Sequence, residues 1–361
     1  MWAPKTGLLS RMHKANAGRT PFDVHDSELS SLIDTLMDRA PAHEDRKLVR
    51  EILVTGVKLL EDGADRGDLK ILRTTVKEMR HAFRVFSRLR GHRKVSIFGS
   101  ARSQPSDPEY KAAQKLGRLL AKAGFMVITG AGDGVMGAAH QGAGRERSIG
   151  LNIQLPFEQH ANPTIEGDFK LMNFRYFFTR KLFFVKESDA IILMPGGFGT
   201  LDEGFETLTL LQTGRSDPKP AVLLDPAGRN YWEKWLDFVR TSLVGQGFIS
   251  PEDLKLVELT RTPERACASI RRFYHRYHSL RYVEGRKLLI IRMNGPLSAT
   301  HIDRLNGRFS DILAGGRIEA TEPHPEEDDE REVLELPRLA LHFDQYHFGR
   351  LRELIDAINR A

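Results

Sequence analysis

From Lys94 to about Leu280 the chain alternates short β-rich runs with amphipathic stretches. Strands read at 95–98, 125–129, 149–155, 190–194, 221–224 and 256–259, with helices near 108–123, 134–144, 176–188, 201–213, 231–245 and 262–278. Strands that take turns with helices imply an α/β fold, a doubly wound parallel sheet covered on both faces. Ligands of such sheets bind outside the carboxyl ends of the strands.

Two flanking segments read differently. Leu29, Leu32 and Leu36, then Leu48, Ile52, Val57 and Leu60, then Leu69, Leu72, Val76, Met79, Phe83 and Phe86 recur at helical spacing, with Gly63 and Gly67 as punctuation. This is a helical N-terminal prefix of about three helices. After Arg286 come strands at 288–291, 317–320 and 339–343 and helices at 299–313 and 349–358, a small α+β C-terminal module. The acidic run Glu326-Glu327-Asp328-Asp329-Glu330 inside it reads as a solvated loop. The expected domains are therefore 1–90, 91–284 and 285–361.

With 361 residues the chain can bury a sizeable core, and 40% hydrophobic with 28% charged residues is the composition of a soluble globular protein. Its one cysteine, Cys267, can form no internal disulfide; it reads as a small core residue in a reducing compartment, the cytoplasm. No apolar run approaches the roughly 18 residues of a membrane span. Lys5, Arg11, Lys14 and Arg19 lie in a start without acids or an apolar core, which reads as a disordered leader. The net charge of +6 raises the question of nucleic acid. The basic stretch from Arg265 to Lys287, interleaved with Tyr274 and Tyr277, reads as a solvated helical face without a nucleic-acid motif, so neither nucleic acid nor membrane is the expected partner.

The chemistry concentrates after the strand at 190–194, where Pro195-Gly196-Gly197-Phe198-Gly199-Thr200-Leu201-Asp202-Glu203 leads into a helix. Gly196, Gly197 and Gly199 allow a tight bend and bring bare N–H groups against a ligand. The helix start then favours an anion by roughly 0.3–2 kcal/mol. A phosphorylated ligand follows. The same residues also spell a capping box, with Thr200 as the cap and Glu203 reaching back to it; a plain helix start, however, needs at most one glycine. Two more loops, Phe98-Gly99-Ser100-Ala101-Arg102 and Thr129-Gly130-Ala131-Gly132-Asp133-Gly134-Val135-Met136-Gly137, end strands on the same edge. The dinucleotide-like glycine spacing of the latter follows the second strand rather than opening the fold, which disfavours a nicotinamide or flavin cofactor.

Residues 195–203 match the PGGxGTxxE signature of the LONELY GUY (LOG) family, often mislabelled lysine decarboxylase. Gly150-Leu151-Asn152-Ile153-Gln154-Leu155-Pro156-Phe157-Glu158-Gln159, with Asn162-Pro163 and then Arg175-Tyr176-Phe177-Phe178-Thr179-Arg180-Lys181, resembles its longer bacterial members; the resemblance covers about residues 94–245. It implies a Rossmann-like domain that hydrolyses the N-glycosidic bond of a nucleoside 5′-monophosphate, AMP-like or a cytokinin riboside monophosphate, to free base and ribose 5-phosphate. Arg180 and Glu203 fall on the family's catalytic pair, and Gly196, Gly197, Gly199 and Thr200 on its phosphate loop. Ser100, Gly132, Asp133 and Gly134 fall where the family lines the nucleotide pocket. Ala131 and Gly137 depart from a usual glycine and glutamate, so base preference is not carried over. A homodimer or higher homo-oligomer, with sites near the subunit interface, is also implied.

The residue types suit this chemistry. An oxocarbenium-like transition state is stabilised by a carboxylate, for which Glu203 is the candidate. Arg180 can pair with phosphate or steady the leaving base. Lys181 could do the same or be a solvated helix residue. His140, His160 and His275 are scattered without metal-ligand spacing, so no metal is expected. No cofactor is expected either: a decarboxylase needs a lysine on pyridoxal phosphate and a partner for its ring nitrogen. A non-catalytic nucleotide sensor or carrier using the same loops is the competing reading.

Overall fold

The computed structural model describes residues 27–155, 160–226 and 228–361. The expected leader and the segment Pro156-Phe157-Glu158-Gln159 lie outside the described residues. The chain forms two compact units that divide between Lys77 and Glu78. In the first, α1 (Ser27–Arg39) and α2 (Arg46–Glu61) pack through Ile33, Met37 and Val54, with Arg50 bridging to Asp34 at 2.6 Å. A third helix, α3 (Arg66–Ser87), starts in this unit and ends in the next. Apolar spacing located these helices, yet Leu32, Leu36, Leu48, Ile52 and Leu60 are exposed.

In the second unit seven strands form one parallel sheet: β1 (Lys94–Phe98), β2 (Met126–Thr129), β3 (Ser148–Ile153), β4 (Leu171–Phe174), β5 (Ala190–Leu193), β6 (Ala221–Leu224) and β7 (Val257–Thr260). Their order is β4-β3-β2-β1-β5-β6-β7, so the winding reverses at β1. Strand residues alternate between two buried faces, which is why the strands read as unbroken apolar runs. Ile191 and Leu193 face one core with Phe183 and Phe184 of α6 (Phe177–Lys186); Ala190 and Ile192 face the other. On that second face lie α4 (Pro108–Lys122), α5 (Val135–Ala143) and α9 (Pro263–Phe273), where Cys267 is a buried core residue. Between them in sequence come α7 (Phe198–Gln212) and α8 (Tyr231–Phe238). β4 was not legible in the sequence; it is four residues long at the sheet edge.

Four more strands form a separate antiparallel sheet in the order β10-β11-β9-β8: β8 (Tyr277–Val283), β9 (Leu288–Met293), β10 (Leu313–Thr321) and β11 (Arg338–Phe343). Helices α10 (Ala299–Phe309) and α11 (Phe348–Ile358) share its core, through Leu305, Phe309, Leu351 and Ile355. Two expectations are corrected here. The helix expected over 262–278 stops at Phe273, because the Asn359 side chain accepts the Arg276 and Tyr277 N–H groups at 2.8 and 2.9 Å and starts the chain on β8. The acidic run is not simply solvated. Glu327 is 0% exposed and takes Arg292 Nε at 2.7 Å and Arg338 Nη1 at 2.8 Å, which fastens the segment onto the module. Among the described residues no helix is long and apolar enough to cross a membrane, and no group of three His, Cys, Asp or Glu could hold a metal.

Candidate active site

The loops after β1, β2 and β5 meet where the winding reverses, as the physics of open parallel sheets requires. Backbone contacts lock them together. Ser100 N–H donates to Pro195 O at 3.1 Å, and Val135 N–H donates to Ser100 O at 3.0 Å. Gly134 sits at a φ of +62°, and a β-carbon there would stand 2.3 Å from Ser100 O, so only glycine serves. The Tyr231 hydroxyl at the start of α8 donates to Gly196 O at 2.7 Å and braces the glycine turn from behind.

The turn makes the chain helical earlier than its sequence suggests. α7 begins at Phe198, with Gly197 as an N-cap that has no side-chain cap bond. The capping box of Thr200 and Glu203 is therefore not formed: both lie within the helix, and both are buried. No side chain is spent on the first turn; the Thr200 N–H donates to Gly197 O at 3.0 Å, and the positive end of the dipole stands at a cleft of about 620 Å³ lined by Gly197, Phe198, Gly199 and Thr200. Among the described residues, apart from the adjoining backbone, nothing lies within 4 Å of a β-carbon added at Gly197 or Gly199. At those positions glycine leaves room for a ligand.

Across the cleft, α6 presents Arg180. The loop before this helix is anchored by Glu78, which accepts the Arg175 N–H at 2.7 Å and the Thr179 hydroxyl at 2.6 Å. The Arg180 guanidinium lies 5.0 Å from the Phe177 ring and 5.6 Å from that of Phe184, and Nη2 is 3.7 Å from Glu203 Oε1. That distance attracts without making a hydrogen bond. Glu203 Oε1 and Arg180 Nε are both buried without a hydrogen-bond partner among the described residues. Burial pushes the Glu203 carboxyl up to about 7, against the pull of Lys181 and Arg180. Burial likewise lowers Arg180, with Glu203 and Asp202 opposing it. The site thus holds a carboxyl and a guanidinium of opposite charge that attract without a hydrogen bond, and each keeps one atom, Glu203 Oε1 and Arg180 Nε, without a hydrogen-bond partner among the described residues.

Of the residues expected from sequence, Ser100, Arg180, Gly197, Gly199, Thr200 and Glu203 line this cleft. Gly196 sits behind it, where a β-carbon would meet Thr200 Oγ1 at 2.2 Å. Lys181 is not one of its walls; its ammonium lies between Asp202 at 3.0 Å and Glu206 at 2.6 Å on α7, joining α6 to α7. Asp133 and Gly134 line a neighbouring polar cavity of about 470 Å³ with Gln104, Tyr110 and Asn162. Gly132 contributes its carbonyl to Asn162.

Sequence reasoning missed the network under this loop. His140 is fully buried, and burial lowers its ring to about 4, so it is neutral. Its Nε2 lies 3.1 Å from Ile149 O and its Nδ1 lies 3.1 Å from Asn162 Nδ2, which also donates to Ala131 O at 3.0 Å. The network holds Ala131 at a φ of 62°. A histidine following Ala138-Ala139 on a buried helix face was the available signal. Glu78, in the middle of α3, and Tyr231, the first residue of α8, carried no such signal.

A family profile described as possible lysine decarboxylase matches residues 135–270. A probable cytokinin riboside 5′-monophosphate phosphoribohydrolase of Oryza sativa subsp. japonica is 33% identical over 171 residues, 46% of this chain and 66% of the relative. A cytokinin riboside 5′-monophosphate phosphoribohydrolase of Arabidopsis thaliana is 31% identical over 169 residues, 46% of this chain and 75% of the relative. This chain thus spans about two thirds to three quarters of those relatives. Among solved structures, the molybdenum cofactor binding protein from Rippkaea orientalis is 22% identical over 50% of this chain and 96% of its own, with a TM-score of 0.34, too low to inform the site. Pyridoxal phosphate, which a decarboxylase would use, does not fit the residues present: the cleft walls offer no lysine for a Schiff base. Identity at this level across three quarters of a relative places the chain in the LONELY GUY (LOG) family.

Proposed function

We propose that the cleft hydrolyses the N-glycosidic bond of nucleoside 5′-monophosphates, AMP or cytokinin riboside monophosphates, to free base and ribose 5-phosphate. The observation that supports this most is Glu203: a carboxyl 4% exposed, with one oxygen unpartnered among the described residues, in the wall of a cleft that the start of its own helix, α7, also lines and that Arg180 of α6 faces. A buried carboxylate without a full counter-charge is costly at rest. It is stabilised when a cation forms beside it, and ribosyl cleavage forms one at C1′. As the C1′–N bond breaks, its electron pair leaves with the base, which takes up a proton; water oxygen bonds to C1′ and gives up a proton. Glu203 stabilises the ribosyl cation and orients the ribose hydroxyls or the water. Arg180 neutralises phosphate or steadies the departing base, and Thr200 and the first-turn N–H groups hold the phosphate. The test is ribose 5-phosphate release from a panel of purine and pyrimidine monophosphates beside their nucleosides. Monophosphates should react and nucleosides barely; equal rates on AMP and adenosine would sink the proposal, and binding without release would make the protein a sensor or carrier.

Assembly belongs to the same reading. Phe198 is 92% exposed at the cleft mouth, and Phe177, Phe178 and Leu182 of α6 are also exposed. A homodimer that covers these rings fits their burial requirement. Sedimentation at micromolar concentration that shows only single chains would reject it. The lone buried thiol of Cys267 suits a reducing compartment such as the cytoplasm.

A further inference from the structure

Helix α3 carries Arg66, Lys70, Arg73, Lys77, Arg80 and Arg84, at steps of four, three, four, three and four residues. On a helix of 3.6 residues per turn these steps keep all six within about 80° of arc, along a line about 27 Å long. All six are exposed. The ion pairs before and after the row, Arg50 with Asp34 and Arg93 with Asp189, leave it out, and none of the six is in an ion pair among the described residues. The Arg84 guanidinium lies 3.3 Å from the ring of His81.

The helix's own acids do not neutralise this ridge. Glu78 is engaged by Arg175 and Thr179, and Asp68 approaches the Asp65 N–H at the helix start. The buried residues Ala82, Val85 and Phe86 occupy the opposite side of the helix. By contrast, the basic stretch that stands out in the sequence after Arg265 is partly spent within the protein: Arg272 pairs with Glu258, Arg281 with Asp329, and Arg276 donates to Pro296 O. Among the described residues the six cations of α3 thus form a row outside any ion pair, whose regular spacing went unread.

We propose that α3 is a docking ridge for the phosphate backbone of duplex DNA, bound without regard to sequence. A row with one cation every ~5 Å meets a polyanion with a charge every ~1.7 Å of its axis, about three phosphates for each cation, so every cation of the row can reach one, and an α-helix is of a size that the major groove admits. Its outermost arc holds no aromatic side chain, which a single-stranded ligand would use for stacking. It holds no Asn or Gln to read base edges. The exposed apolar neighbours Leu72, Val76 and Phe83 lie on a flank of the helix, about 80–120° around from the line of charges, so the face that carries the row is polar.

The test is fluorescence anisotropy of the full chain with labelled DNA duplexes of about 20 base pairs and unrelated sequences, from about 50 to about 200 mM salt. Six phosphate contacts predict a slope of log affinity against log salt near −5. Replacing Arg73, Lys77 and Arg80 with Gln should flatten that slope by about 3 and weaken binding at least tenfold, with circular dichroism and the thermal midpoint unchanged. Arg73→Lys with Arg80→Lys should bind as the parent does. The proposal is overturned if the parent chain does not bind duplexes, if the Gln variant binds as well as the parent, or if anionic phospholipid vesicles bind through α3 while duplex DNA fails to compete.

Discussion

Two buried glutamates, one in the cleft and one in the C-terminal module, face arginines and come to opposite ends. Glu327 is matched on every side: Arg292 and Arg338 donate at 2.7 and 2.8 Å and the His324 N–H at 2.9 Å. Burial would raise its carboxyl, but those donors together outweigh burial and hold it below the usual carboxylate range. Glu203 has Arg180 at 3.7 Å, a bare Oε1, and a carboxyl pushed up to about 7 by burial. A buried charge whose hydrogen bonds are complete is architecture; one left incomplete beside a cleft is capacity held for a ligand.

The sharpest way to break this contrast is to neutralise each glutamate. Glu327→Gln strands two buried guanidiniums and should cost roughly 3–5 kcal/mol of stability, with turnover per folded molecule intact; denaturant unfolding that matches the parent chain would show the triad is not structural. Glu203→Gln should do the reverse. Turnover should fall roughly 10²–10³-fold, while nucleotide binding and folding persist. Since no capping bond depends on Glu203, a retained activity would leave it without a catalytic role.

Proton linkage separates the two again. Glu203 has a folded-state value near 7 against an ordinary 4.5, so the folded chain binds its proton more tightly and loses stability as pH rises from about 4.5 through about 7. The loss reaches about 3 kcal/mol. Glu203→Gln removes it, so at alkaline pH the variant should unfold later than the parent and at acid pH equally; activity of the parent should climb through pH 7 as the carboxylate forms. Glu327, held low, works in the other sense: its contribution is present above its unfolded-state value and is lost as pH falls through the folded one. A parent chain whose activity is flat across pH 6 to 8 would put the Glu203 environment in doubt.

The smallest expected effect extends the comparison to glycines. Gly197→Ala adds a methyl into open cleft space and should raise the KM for the nucleotide about tenfold, roughly 1.4 kcal/mol, without changing the thermal midpoint. Gly134→Ala, at a φ of +62° with Ser100 O 2.3 Å away, should lower the midpoint. If the two substitutions behave alike, the glycine turn is a folding device and not a ligand loop.

Periodicity and punctuation carried much of this in the sequence itself. Unbroken apolar runs at 190–193 and 221–224 can be buried on both faces only in a covered parallel sheet, and three glycines at a helix start leave, by steric logic alone, the open turn that the structure shows. Local pattern misled where tertiary partners decide. Thr200 and Glu203 spell a cap, but the glycine turn starts the helix at Phe198. Five successive acids spell solvent, but two arginines distant in sequence bury the second of them. Leu32, Leu36, Leu48 and Ile52 mark helices correctly and still lie on the surface.

The order of residues by itself determined the alternation of strands and helices, the edge on which the loops gather and the class of ligand they suit, because these follow from spacings within a few residues. Only the tertiary structure decided that Glu203 is underpartnered and Glu327 satisfied, that Lys181 turns away to Asp202 and Glu206, and that His140 and Asn162 hold the second loop. Such facts depend on distances between groups far apart in the chain. A hydrogen bond is made or lost within a few tenths of an ångström, a precision that no local pattern encodes.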